Sequence, residues 1–300
     1  MVRGGELVKE SKAYKIFKII NYTLIILFIA ATLYPFLLII AESFSSESMI
    51  RGGHVGLIPR GFNVVTYMAV MEDSMFWINY RNTLVYTVVG VSISIVFTTL
   101  TAYALSKKRL MGRSVVLFLF AFTMFFSGGL IPNFLLVTTF LNWRNTIWAI
   151  VIPGAIGVFN VLIMKTFFEH LPSELEEAAE IDGCNQYGTF FRIVLPLSKA
   201  VIATQVLFYA VGAWNSWFPA MLYLTDRNLQ PVAMYLRNLI AGVTSLALTG
   251  SAAEAAAAGE GIGQNVGSVA IVLTSLPIIM VYPFLQKYFV TGVMLGSVKG

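Results

Sequence analysis

Few residues in this 300-residue chain have the types and spacings that perform covalent chemistry. No Gly-x-x-x-x-Gly-Lys-Ser/Thr phosphate loop occurs, and no Gly-x-Ser-x-Gly nucleophile elbow. The single cysteine, Cys184, excludes an intrachain disulfide and has no polarising neighbours in sequence. His54 and His170 stand far apart with no cysteine cluster near either, so no metal site is expected. The chain is therefore expected not to be an enzyme and to bind no cofactor itself. What remains is electrostatic and mechanical, concentrated in Leu171-Pro-Ser-Glu-Leu-Glu-Glu-Ala-Ala-Glu-Ile-Asp-Gly183. Ser173 with Glu176 has the spacing of a capping box. Glu174, Glu176 and Glu177 lie where a helix dipole favours anions. Ala178 and Ala179 are strong helix formers, and Gly183 tolerates the left-handed geometry of a helix stop. These signals predict an acidic helix of about ten residues, then a second short helix over about Gln186–Val194, with Pro196 opening the next element. Such a rod suits docking into a protein partner. The competing reading is an ordinary interfacial connector.

The elements that must position this rod are set by composition. Hydrophobic residues make up 57% of the chain and charged residues 12%, against roughly 25% charged in soluble domains. Mean hydropathy is +0.78. A helix needs about 20 apolar residues to cross a bilayer. Six stretches qualify: about Ile19–Ala41, Asn82–Leu105, Ser114–Phe140, Thr146–Phe168, Ala200–Leu224 and Val266–Phe289. The fold class is therefore all-α, a polytopic membrane protein with six transmembrane helices and short cytoplasmic helices. The first stretch exceeds a signal-peptide core of roughly 7–15 residues and is expected as a retained helix.

Basic residues orient the spans. Arg3, Lys9, Lys12, Lys15 and Lys18 precede the first; Lys107, Lys108, Arg109 and Arg113 fill the second connection. Lys165, Arg192 and Lys199 flank the fourth, and Lys287 and Lys299 follow the sixth. The other side holds Arg51, Arg60, Arg81, Arg144, Arg227 and Arg237, mostly in long loops. The positive-inside rule places both termini in the cytoplasm. Dispersed over span ends, the net charge of +5 argues for membrane orientation and against nucleic acid. The layout is a cytoplasmic segment 1–18, a six-span transmembrane domain 19–289 and a cytoplasmic tail 290–300. External loops fall at about 42–81 and 225–265, and the acidic cytoplasmic loop at about 169–199. Within the second external loop, 251–259 forms either a short helix or a flexible tether. No Asp or Glu falls inside a span and Lys165 can snorkel to the interface, so ion-coupled carriage is disfavoured.

Glu177-Ala178-Ala179, Asp182-Gly183 and Ile193-Val194-Leu195-Pro196 together resemble the EAA loop of binding-protein-dependent ABC importer permeases. That pattern is Glu-Ala-Ala, three residues, Gly, nine residues, Ile-x-Leu-Pro, and the spacing here matches it throughout. Cys184 departs from the family's frequent Ala; both are small. The segment Gly212-Ala-Trp214-Asn215-Ser-Trp217-Phe-Pro-Ala and the ending Gly292-Val-Met-Leu-Gly296-Ser-Val-Lys299-Gly are similar to the MalG-like carbohydrate branch, particularly its oligosaccharide and polysaccharide-fragment members. The resemblance implies a permease subunit of the bacterial plasma (inner) membrane, paired with a MalF-like subunit and two cytoplasmic ATPase subunits that use ATP and Mg. An extracellular solute-binding protein would deliver a sugar or oligosaccharide. It implies that Glu177, Ala178, Ala179, Asp182, Gly183, Ile193, Leu195 and Pro196 couple to the ATPase, and that 252–263 reaches toward the binding protein. Asn160, Gln205, Tyr209, Trp214, Asn215 and Trp217 are candidates for the sugar path, since aromatic faces and amides suit sugars. The same residues also serve as interface anchors and helix glue. Asn82 is expected as a structural cap. Glycerol phosphate esters, an ion-coupled carrier and a docking scaffold stay open as alternatives.

Overall fold

The computed structural model describes residues 11–249 and 265–297; the expectations for 251–259 and 252–263 lie outside them. No strand occurs among the described residues. The chain divides into two compact units, Met1–Val70 with Val243–Leu273, and Met71–Gly242 with Thr274–Gly300.

In the first unit, helix α1 runs Lys12–Ser43, its N-terminus capped by the Ser11 hydroxyl, which accepts from the Tyr14 amide at 3.2 Å. Phe44 stacks on Phe62 and Tyr67. Short helix α2 (Glu47–Arg51) and the start of α3 (Val65–Glu72) follow. Asn265 holds this unit together: it accepts from Thr66 Oγ1 at 2.8 Å and donates to the Ser45 carbonyl at 3.3 Å.

The second unit is built on α4, Ser74–Ser106. Its cap is Asp73, whose carboxylate accepts from the Met75 amide at 2.9 Å. Asn82 is therefore not the cap: it lies two turns inside α4, and its amide donates to the carbonyls of Asn228 and Gln230. Then come α5 (Arg113–Phe125), α6 (Leu130–Leu135) with a π turn Leu136–Phe140, α7 (Trp148–Val151), α8 (Val158–Glu169), α9 (Ser173–Ile181) and α10 (Gln186–Thr189). A π turn Phe190–Val194 leads to α11 (Leu195–Leu197), α12 (Lys199–Trp214) and α13 (Phe218–Tyr223). Helices α14 (Val232–Thr249) and α15 (Val266–Ser297) complete the chain.

Helices α4, α8 and α12 pack together. Ala102, Val161 and Met164 are fully buried between them, with Leu105, Phe168 and Val201. Small residues at Ala102 and Thr98 let the helices approach closely, the usual basis of association between apolar helices.

The expected third, fourth and fifth spans are not continuous helices. The third bends by 109° between Arg113–Phe125 and Leu130–Phe140. Gly129 has φ +88, and Pro132 cannot continue the amide ladder. The fourth stretch breaks at 152–157, where Pro153 and Gly154 follow α7. The fifth breaks at Asn215–Trp217, with Pro219 in the first turn of α13. Among the described residues two helices, α1 and α4, are long and apolar enough to cross a membrane unbroken, or up to four if each bent pair is one span. Helix α15 adds an apolar run over Val266–Val281.

Candidate functional site

The acidic loop folds as two short helices, with its start one residue earlier than the capping box predicts. Pro172 occupies the cap position, Ser173 is already helical, and no side-chain cap forms. Proline pre-sets the entry φ, and Glu176 is engaged elsewhere. At the other end Gly183 has φ +80. The Cys184 amide donates to the Ala179 carbonyl at 2.9 Å, and the Gly183 amide to Glu180 at 3.1 Å. This Schellman closure needs a left-handed residue. Helix α10 is capped by Asn185, whose side chain accepts from the Gly188 amide at 2.8 Å.

One edge of α9 is tied to the basic stretch between α4 and α5. Lys107 Nζ donates to both carboxylate oxygens of Glu176, and its ammonium sits 4.3 Å from the Tyr103 ring centroid. Arg109 donates to Glu180 at 2.8 Å. Arg113 donates to Glu169 and, through Nε, to the Leu105 carbonyl at 2.7 Å. Lys165 completes the group, donating to Glu169 at 2.8 Å. Burial pushes the Glu169 carboxyl up, but Lys165 and Arg113 outweigh it and hold the group below its ordinary value. The two expected cytoplasmic loops therefore meet at one end of the bundle.

The outer edge of α9 carries no such ties. Glu177 is exposed and has no ion pair among the described residues, and Ala178 and Asp182 are exposed. Ile181 is 86% exposed, while Ala179 is buried. The Ala pair thus splits, Ala179 seating the helix and Ala178 facing outward. Further on, Phe190 and Val194 are buried in the α4–α8–α12 core, Ile193 and Leu195 are half-buried, and Pro196 is exposed. The 78° bend into α12 falls between Leu197 and Lys199, two residues after Pro196. The segment that follows α9 is thus seated in the core by rigid aromatic and β-branched side chains.

A cavity of about 490 Å³ lies where the broken stretches converge. Of the six sugar-path candidates, Tyr209 lines it. Its hydroxyl bonds Thr98 at 2.6 Å and accepts from the Gly157 amide at 3.2 Å. Gln205 is fully buried, its Nε2 3.5 Å from the Asn160 carbonyl and its Oε1 without a partner among the described residues. Trp214 is buried and donates to the Thr274 carbonyl at 2.9 Å. Asn215 donates to the Val211 carbonyl of its own helix at 2.9 Å. Trp217 lies outside the cavity with the Arg237 guanidinium 4.9 Å over its ring. Sequence reasoning missed Ser94, Asn133, Ser216 and Tyr223 at the cavity. It also missed the pairing of 107–113 with α9, whose one signal was opposite charge on loops of the same side.

A family model described as "Binding-protein-dependent transport system inner membrane component" matches residues 94–294. Protein LplC of Bacillus subtilis (strain 168) is 42% identical over 97% of this chain and 97% of its own length. The polygalacturonan/rhamnogalacturonan transport system permease protein YtcP of the same organism is 39% identical over 95% of this chain and 99% of its own. A solved chain of a bacterial ABC transporter involved in import of the acidic polysaccharide alginate superposes with TM-score 0.81 at 35% identity, covering 93% of this chain and 99% of that one.

Proposed function

The chain belongs to the family of binding-protein-dependent transport system inner membrane components, and from that premise we propose that it is one of two different permease subunits of an ATP-driven importer of sugars or oligosaccharides. The second subunit is MalF-like. Two cytoplasmic ATPase subunits hold ATP and Mg, and an extracellular solute-binding protein delivers cargo. Both termini face the cytoplasm. The names of relatives that carry polygalacturonan, rhamnogalacturonan and alginate support an oligosaccharide cargo. A phosphorylated cargo would need cationic groups in the path, and none lines the cavity among the described residues.

The carrying observation is the two-edged α9. Its inner edge is clamped by ion pairs and a buried Ala179, while its outer edge offers Glu177, Ala178, Ile181 and Asp182. Glu177 meets a basic group of the ATPase, Ala178 permits close approach, and Gly183 sets the turn. Ile193, Leu195 and Pro196 carry the segment back to the spans. When ATP draws the ATPase subunits together, α9 moves with them and Phe190 and Val194 push the α4–α8–α12 core, a bistable bundle that re-opens to the outside. The test is Glu177→Arg in the complete complex, scored by ATPase co-purification and ATP-dependent uptake. Both should fall at least tenfold with the chain still inserted. Wild-type uptake, or a topology reporter placing Glu177 outside the cell, would overturn the reading.

A further inference from the structure

We propose that the cavity among α4, α6, α7, α12 and α13 is a binding site of this subunit for a single uncharged glycosyl unit of the cargo; this rests on the importer reading above. Three chain breaks, at 126–129, 152–157 and 215–217, lie beside elements that line it. Irregular backbone at membrane depth survives where it is buried in protein or lines a polar cavity, and transporters place binding sites at such discontinuous helices. At about 490 Å³ the space falls in the roughly 300–1,000 Å³ range of small-molecule sites, enough for one sugar ring but not a chain.

The lining fixes the ligand's chemistry. Tyr86, Tyr209 and Tyr223 present aromatic surface from α4, α12 and α13. The negative faces of such rings attract the weakly positive C–H edges of a pyranose. Ser94, Asn133, Ser216 and the Tyr223 hydroxyl also line the space, and none of these side chains has a hydrogen-bond partner among the described residues. Ser94 is 4% exposed and Tyr223 6%. Hydroxyls and an amide that both donate and accept suit sugar hydroxyls. Among the described residues, no Asp, Glu, Lys, Arg or His lines the cavity. A uronate carboxylate would thus enter without a counter-charge, so a neutral ring is the favoured occupant. Where the cargo is an acidic polysaccharide, its carboxylates must be met outside this cavity.

Gly212 gives a direct test. It lines the cavity, and a Cβ built there meets nothing within 4 Å, so a larger side chain fills space rather than displacing neighbours. The complete complex in proteoliposomes is assayed for uptake of neutral galacto-oligosaccharides and of oligogalacturonides of equal length. Gly212→Leu should lower uptake at least tenfold, with the partner subunits still co-purifying. Asn133→Leu, at an exposed position that α6 tolerates, should lower neutral uptake at least fivefold if the first variant fails to assemble. Asn133→Lys should raise the ratio of oligogalacturonide to neutral uptake at least fivefold. Assembled variants with uptake within twofold of wild type, or an unchanged ratio, overturn the site. Wild-type complex that takes up neither sugar with ATP overturns the importer reading instead.

Discussion

Reversing the charge of Lys107 should free the inner edge of α9 without touching its outer edge. The pair it forms with Glu176 is largely shielded, the side chains being 24% and 22% exposed. A fully exposed ion pair contributes about 0–1 kcal/mol, and a hydrogen bond to a charged group about 1.5–3 kcal/mol. An ammonium at the end of a three-quarters-buried side chain, bonded to both carboxylate oxygens with an aromatic face beneath it, belongs between these at about 1–2 kcal/mol. Lys107→Glu removes that and sets two carboxylates side by side, for a total near 2–3 kcal/mol. At about 1.4 kcal/mol per decade, local opening of the loop should rise roughly 30- to 150-fold. Hydrogen exchange of the amides over 173–183, read in the assembled complex, reports that opening directly. The swap Lys107→Glu with Glu176→Lys should recover most of the protection, because the remaining link from Arg109 to Glu180 keeps α9 in register. Exchange within twofold of wild type for both single variants, or a swap no better than the singles, would refute the clamp.

Gly183→Ala should weaken the same loop by another route. A Cβ there meets no atom within 4 Å, so the penalty of about 1–2 kcal/mol is that of a left-handed L-residue, visible as faster exchange at 179–184 and lower uptake per ATP. Glu169 should confer acid sensitivity. Its carboxyl is held low in the folded protein, so its contribution is complete above the ordinary value of 4.5 and is lost as pH falls through the lower folded value. Thermal melts should therefore lose stability below about pH 4.5, and Glu169→Gln should remove part of that acid-dependent step while leaving the pH 6–8 range flat. Asn82→Leu should cost about 1–3 kcal/mol by leaving the Asn228 carbonyl unpaired, read as a lower thermal midpoint.

By itself the sequence determined the solvent of this protein and the existence of its lever. A chain that is 57% hydrophobic and 12% charged has no stable home in water. The run from Pro172 to Gly183 codes a short helix in local terms, because entry φ, alanine content and a left-handed stop are properties of neighbouring residues. The bounds of α4 were legible at its C-terminal end for the same reason, while its start at Asp73 was hidden in a loop of ordinary polarity. Only the tertiary structure decided which glutamates are clamped and which is free. Glu176 and Glu177 are adjacent and chemically identical, and their fates differ because one faces Lys107, sixty-nine residues away. It also decided that the third, fourth and fifth stretches are broken, since hydropathy averages over a window and cannot register whether the backbone within it is continuous. And it sent Trp214 to a buried carbonyl and Tyr209 to the cavity. An aromatic residue's period along one helix fixes its face, but only the helices packed around that face determine what it touches.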